Sequence, residues 1–304
     1  MSAIEPWILF ALDATSIQTA RNILQKNLTA RLSVRGSAYA RFLYGLPLSF
    51  VLLAGAAGAT DVGMPRPETL FYFYVVIGAF TQVVASALFI HLMTHANFAI
   101  SLTFGKIETV LAAAFSFVVM GDLLSPLGAA GILVSVLGCM VLAAGREHLS
   151  LRTMIFALGS RAAAQGIGIG AIYAVTSTVY RAATLSLDGG TPVLNAFYAL
   201  VWVTSLQAVG FGLYLAMRER AVLLEVFRSW RPSMWIGLTG VTASSCWYAA
   251  FAYKETAYVL AVGNFDLVLG YLASRFLYRE HTNAVEIAGI VLTMAGIICV
   301  AFAR

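Results

Sequence analysis

The chain has 304 residues, 60% of them hydrophobic and 11% charged, with a net charge of +5. Soluble domains carry about 25% charged residues, so this chain cannot dress a water-facing surface, and a soluble enzyme is excluded. The excess of positive charge is small and its arginines fall mostly between apolar runs, which points to membrane-surface anchoring rather than to a nucleic-acid patch.

The apolar runs are each near the roughly 20 residues that cross a bilayer as helix. Ten spans are predicted, at 6–28, 38–58, 70–93, 97–120, 127–145, 160–183, 192–216, 233–252, 257–278 and 284–303. The first carries Gln18, Asn22 and Gln25 at helical spacing, a polar stripe that must face protein or water. Arg41-Phe42 stands early in the second, and Pro65 and Pro67 close the loop after it. Gln82 lies in the third, which ends near His91 and His95. The fourth holds Gly105-Lys106-Ile107-Glu108 in mid-helix and ends at Gly121-Asp122, with Ser125-Pro126 opening the fifth. Arg181 lies late in the sixth, and Gly189-Gly190 and Pro192 separate it from the seventh, which contains Gln207. Four arginines, Arg218, Arg220, Arg228 and Arg231, fill the connection to the eighth, where Ser244, Trp247 and Tyr248 sit. The ninth contains Asn264 and Asp266. Barrel strands would alternate polar and apolar residues; most of these runs are apolar all round, so the expected fold class is an all-α polytopic membrane protein. Cys139, Cys246 and Cys299 lie inside apolar runs without CxxC spacing, and no HExxH occurs. They are read as packing residues, and no metal is expected.

The chain also repeats itself. Sliding it by 158 positions aligns 81–146 with 239–304 without a gap. Thr81, Val83, Ala85 and Ser86 then meet Thr239, Val241, Ala243 and Ser244, while Gly105 meets Gly263 and Glu108 meets Asp266. Gly131 and Gly138 meet Gly289 and Gly296, and a shift of 160 matches Arg21 with Arg181. Two five-helix halves follow, 1–146 and 147–304. An odd number of helices reverses the second half across the membrane, so the expectation is an inverted repeat with a substrate site near the midplane between the halves.

At the ends of those halves the sequence resembles EamA-type members of the drug/metabolite transporter superfamily. The likeness rests on FGKIETVLAAAFSFVVMGDLLSPLGAAGILVSVLGCMVLA and VGNFDLVLGYLASRFLYREHTNAVEIAGIVLTMAGIICVAF, on Gly121-Asp122 and Arg279-Glu280 at the turns, and on Arg41-Phe42. It implies a bacterial inner-membrane carrier of a small metabolite, without a cofactor. The charged Gly105-Lys106-Ile107-Glu108 departs from the family's mostly apolar pattern.

A charge at the centre of a membrane helix costs about 2.5–3.5 kcal/mol, so Lys106, Glu108 and Asp266 need a reason to be there. One reason is a substrate or proton pathway, with proton coupling through Glu108 or Asp266. The competing reason is a structural ion pair, for instance Lys106 with Asp266. Asn264, Gln18, Asn22, Gln82, Gln207, Trp247 and Tyr248 are further pathway candidates. Arg21, Arg41 and Arg181 are candidates for holding an anion, since guanidinium forks onto carboxylate or phosphate; snorkelling to headgroups competes. The glycine pairs read as close helix packing. The reading is a secondary transporter of a small polar or amphipathic metabolite, amino-acid-like compounds first, working by alternating access in the bilayer. An intramembrane lipid-modifying enzyme would need a reactive motif such as GxSxG, which is absent from the sequence. A channel or a non-transporting membrane partner is the other alternative.

Charge sets an orientation. Lys26, Arg31 and Arg35 follow the first span, Arg146 and Arg152 the fifth, Arg218, Arg220, Arg228 and Arg231 the seventh, and Arg279 the ninth; Arg66, Lys254 and Arg304 stand on the opposite side. The positive-inside rule then puts both termini outside, whereas the family resemblance implies cytoplasmic termini. Following the charge count, a fluorescent protein fused after Arg304 stays dark while a periplasmic phosphatase at the same place is active; a bright cytoplasmic fusion would contradict it.

Overall fold

The structure, a computed structural model, describes residues 5–29, 32–93, 104–146, 159–278 and 283–303. The first residues of the fourth span, His95, Arg31, Arg152, the Arg279-Glu280 turn and Arg304 lie outside the described residues, as do the side chains of Lys26 and Arg146. The regular structure of the described residues is helical apart from one pair of two-residue strands. The helices are α1 Pro6–Thr29, α2 Val34–Gly58, α3 Thr69–Met93, α4 Glu108–Met120, α5 Pro126–Arg146 and α6 Arg161–Leu185, followed by α7 Pro192–Arg218, α8 Arg220–Arg228, α9 Trp230–Tyr253, α10 Thr256–Gly263, α11 Phe265–Tyr278 and α12 Ala284–Ala301. Among the described residues six helices, α2, α3, α5, α6, α7 and α12, are long and apolar enough to cross a membrane. The strands β1 Arg66–Pro67 and β2 Leu187–Asp188 pair antiparallel, Arg66 opposite Asp188; they tie two loops together and carry no part of a barrel.

Two compact units form, and each takes chain from both sequence halves. The first unit comprises 1–93 and 176–254, the second 94–175 and 255–304. In the first, Leu28, Tyr39, Phe42, Phe211, Leu215 and Ile236 make a buried apolar cluster. Helix α1 meets α9 antiparallel, Phe10 stacking on Tyr253 and Trp247 donating to Gln18. Helix α2 lies against α7 through Tyr39 and Phe211, and against α9 where Gly45 meets the backbone of Gly237. Helix α3 meets α7 through Phe71, Tyr198 and Trp202, and meets α6 through Thr81 and Thr176.

In the second unit α5 and α12 run antiparallel with their backbones almost touching. A Cβ on Gly138 would collide with the Thr293 backbone, one on Gly289 with Leu142, and one on Gly296 with Ser135. The glycines spaced seven apart are therefore a packing seam, as their spacing indicates. Both helices start on side-chain caps at positions that match under the 158-residue shift. Ser125 Oγ accepts from Gly128 N at 3.2 Å, and Asn283 Oδ1 accepts from Glu286 N at 2.8 Å. Helix α4 ends on Gly121 in the left-handed conformation, φ 70°, which glycine adopts without a Cβ penalty.

Two predicted features differ. The fourth and ninth spans are not continuous helices. Among the described residues each is interrupted once, at 106–107 and at Asn264, and the interruptions tighten the backbone rather than open it. Thr109 N donates to Lys106 O and Leu267 N to Asn264 O, both three residues back and both at 3.3 Å, the geometry of a 3₁₀ turn. These two bonds also match under the shift. Helix α8, read from sequence as a loop, is helical because Val222 and Val226 pack on Gly36 of α2, and Val226 O accepts from Tyr44. It is too short and too charged to register as a span.

The seam gives a test. Gly138→Ala should lower stability by about 1–3 kcal/mol through overpacking. Gly55→Ala, with open space at its Cβ position, should leave it unchanged or slightly raised. Thermal melting of both variants in one detergent compares them.

Candidate functional site

The candidate side chains fall into two sets, one in each unit. In the second unit the helix restarts after each interruption, and the restart places an acid in a first turn: Glu108 in α4 and Asp266 in α11. Helix N-termini carry partial positive charge from unpaired N–H groups, which favours carboxylates there. The interruption also frees Lys106 from the ladder of α4. Its Nζ lies 2.7 and 2.8 Å from the two carboxylate oxygens of Asp266, so the geometry is that of the ion pair weighed as the structural alternative. Glu108 is half-buried two residues on. Asn264, at the other interruption, donates to Ser135 Oγ at 3.1 Å and is 2% exposed. Gly166 and Gly170 of α6 come against Gly105 at the first interruption, so close that a Cβ on Gly170 would sit 2.6 Å from the Gly105 carbonyl.

In the first unit Arg41, Gln82, Gln207 and Tyr248, four of the sequence candidates, line one pocket. Arg41 Nη2 donates to Ser244 Oγ at 3.1 Å and Nη1 to Ser86 Oγ at 3.4 Å, and the guanidinium carbon lies 5.4 Å from the centre of the Phe42 ring. Gly240 makes room for the Arg41 stem: a Cβ there would stand 2.8 Å from Arg41 Cγ. Gln82 donates to Ser86 Oγ at 3.2 Å, and Gln207 donates to the Tyr180 hydroxyl at 3.3 Å. Tyr180 and Tyr248 stack obliquely with ring centres 4.4 Å apart. About 20 Å³ of this pocket admits the centre of a water-sized sphere, near the least that holds one ordered water. A larger ligand therefore needs side chains to move.

The remaining candidates sit elsewhere in the first unit. Gln18 accepts from Trp247 Nε1 at 3.2 Å, and Asn22 accepts from Arg21 at 2.8 Å. Arg181 donates from Nη1 to the carbonyls of Phe251 and Lys254 at 2.6 and 2.7 Å, which satisfies the C-terminal end of α9 as basic side chains do at helix ends. Sequence reading missed Tyr180 and Ser86 as neighbours of Arg41. A signal existed for Ser86, because the repeat alignment pairs it with Ser244, and both hydroxyls accept from Arg41.

No protein-family model and no curated protein matches the chain. Among solved structures, one described only as "Crystal structure of protein" superposes with a TM-score of 0.68 at 15% identity, covering 98% of this chain and 96% of that one. At that identity the likeness concerns the fold alone.

The ion pair makes a prediction. Asp266→Asn strands a half-buried ammonium and should cost about 3–5 kcal/mol, whereas adding Lys106→Met should recover most of the loss. Equal melting temperatures for single and double variants, both well below wild type, would place the damage elsewhere.

Proposed function

We propose that this chain is a ten-helix secondary carrier of the EamA-type drug/metabolite transporter kind, built as two inverted five-helix repeats. In this reading Phe104–Lys106 and α4 form one span, α10 and α11 form another, and α8 lies outside the count. The observation that carries the proposal is that the helix contacts survive exchange of the halves. Helices α1 and α9 become α6 and α3, which also meet. Helices α2 and α9 become α7 and α3, which also meet. The pair α2 and α7 maps onto itself, and so does the seam of α5 and α12. A two-fold axis relating the repeats in the membrane plane produces that pattern. The matched interruptions support it too, since carriers with inverted repeats bind substrates and coupling ions at broken helices.

The cargo is a small polar or amphipathic metabolite, with amino-acid-like compounds first, moved by alternating access across the bacterial inner membrane. The Arg41 pocket, drawn from helices of both sequence halves, is where it is held. Glu108 carries the coupling proton, because Asp266 is engaged by Lys106. Reconstituted protein should give saturable counterflow of such a metabolite. Glu108→Gln, which breaks no ion pair of Lys106, should fold normally and keep counterflow while losing accumulation driven by a proton gradient. Flux that rises linearly with concentration would instead mark a channel, and a modified lipid product would mark an enzyme.

A further inference from the structure

We propose that the outer face of α8 binds anionic phospholipid, its arginines meeting the phosphate headgroups while Leu224 and Phe227 enter the acyl boundary. Such binding requires α7 to cross a bilayer; it is independent of whether the chain carries a substrate.

One side of α8 is committed to protein. Val226 is fully buried and packs with Val222 on Gly36 of α2, and Val226 O accepts from Tyr44 at 3.1 Å. Positions 220, 224, 227 and 228, spaced i, i+4, i+7 and i+8, fall on another face. There Leu224 and Phe227 are 56% and 49% exposed, and the exposed Arg220 and Arg228 stand at the two ends of the helix. The chain goes on in the same composition. Trp230 and Arg231 are exposed, the Arg231 guanidinium carbon 5.5 Å from the centre of a Trp230 ring. A face turned to water carries polar groups throughout, and one sunk among acyl chains carries no arginine. Large apolar side chains interleaved with arginines suit the boundary between the two, where stems and rings enter the apolar layer and the charged heads stay with phosphate.

The protein does not consume the charge of this face. Among the described residues the ion pairs are Arg35 with Glu219 and Lys106 with Asp266. Glu219 is thus engaged by Arg35, and Glu225, the acid within α8, accepts from Ser229 Oγ at 3.4 Å. Arg220 donates from Nε to the Ala216 carbonyl at 2.9 Å, which uses one of its five donors. Arg218, Arg220, Arg228 and Arg231 therefore stand without a carboxylate partner among the described residues. Their neighbours select lipid as the occupant. Helix α7 is long and apolar enough to cross a membrane and ends at Arg218, so α8, starting at Arg220, follows directly on the end of a candidate span. Met217 before it, and Met234 and Trp235 after it, are exposed; a bilayer that covers them reaches α8 without a break. A second copy docked by the same patch would bring these arginines against themselves. Phosphatidylglycerol carries a net negative charge, whereas the choline of phosphatidylcholine cancels that of its phosphate, so the arginines distinguish the two.

The test puts a fluorophore beside the face. Ala221→Cys, at an exposed position of α8, is labelled with a fluorescent maleimide in a background lacking the three native cysteines. The full chain enters nanodiscs holding phosphatidylglycerol and phosphatidylcholine in equal amounts, with the acyl chains of one or the other brominated, since bromine quenches only fluorophores it touches. Quenching should report roughly threefold or more enrichment of phosphatidylglycerol. Arg220→Gln with Arg228→Gln should bring the two lipids towards equality, as should high salt. Arg220→Lys with Arg228→Lys should keep the preference, and so should Arg66→Gln with Arg161→Gln, an equal loss of charge at exposed positions elsewhere. Where the labelled chain does not fold, native mass spectrometry of the wild-type chain and the same arginine variants reads the preference as the ratio of bound lipids. The proposal is overturned by quenching from neither lipid, which leaves the face to water or to a protein, or by quenching from phosphatidylcholine as strong as from phosphatidylglycerol. It is overturned too by a preference that survives loss of both arginines, or by one that inorganic phosphate abolishes and chloride at equal ionic strength does not, which marks a site for free phosphate.

Discussion

Six of the described helices are long and apolar enough to cross a membrane, and where lipid replaces water around such helices an apolar side chain gains little by leaving solvent for another helix. What remains to hold helices together is close backbone approach and hydrogen bonding. The seam of α5 and α12 answers that constraint most directly, with glycine on both helices wherever the backbones meet. Its antiparallel register sets the starts of both helices, where Ser125 and Asn283 supply the caps. It also stands beside Ser135 and Cys139 of α5, which meet Asn264 at the second helix interruption. The same device recurs at Gly105 with Gly170, and at Gly45 with Gly237.

Against that scaffold, the departures from matching are the informative residues. Serines, glycines, caps and interruptions have counterparts under the shift, as a repeated framework requires. Glu108 and Asp266 match as acids, but Lys106 faces Asn264 in the alignment. A cation placed in only one half answers to something other than the framework. For Lys106 that something is Asp266, at 2.7 Å.

Sequence reading located the helices well because twenty apolar residues in a row leave little choice. It ran the fourth and ninth spans through their interruptions because Gly105-Lys106 and Gly263-Asn264 are residues a helix tolerates, and a 3₁₀ turn changes only which carbonyl an N–H meets. It passed over α8 because a nine-residue amphipathic helix with an arginine at each end has the composition of a loop. It named Arg41, Gln82, Gln207 and Tyr248 separately but had no means to gather them. In a soluble helix the apolar stripe tells which face packs; in these helices every face is apolar, and the meeting of α2, α3, α6, α7 and α9 depends on glycine and hydroxyl positions too sparse to define a stripe.

In the proposed carrier the two halves are inverted with respect to the membrane. Leu127 and Val285 are 158 residues apart, both exposed, near the starts of α5 and α12. Each can be replaced by cysteine in a background lacking the three native cysteines, and the intact cells treated with a membrane-impermeant maleimide. Inverted halves expose one of the two to label in intact cells and the other only after the membrane is opened. Labelling of both from the same face would contradict it.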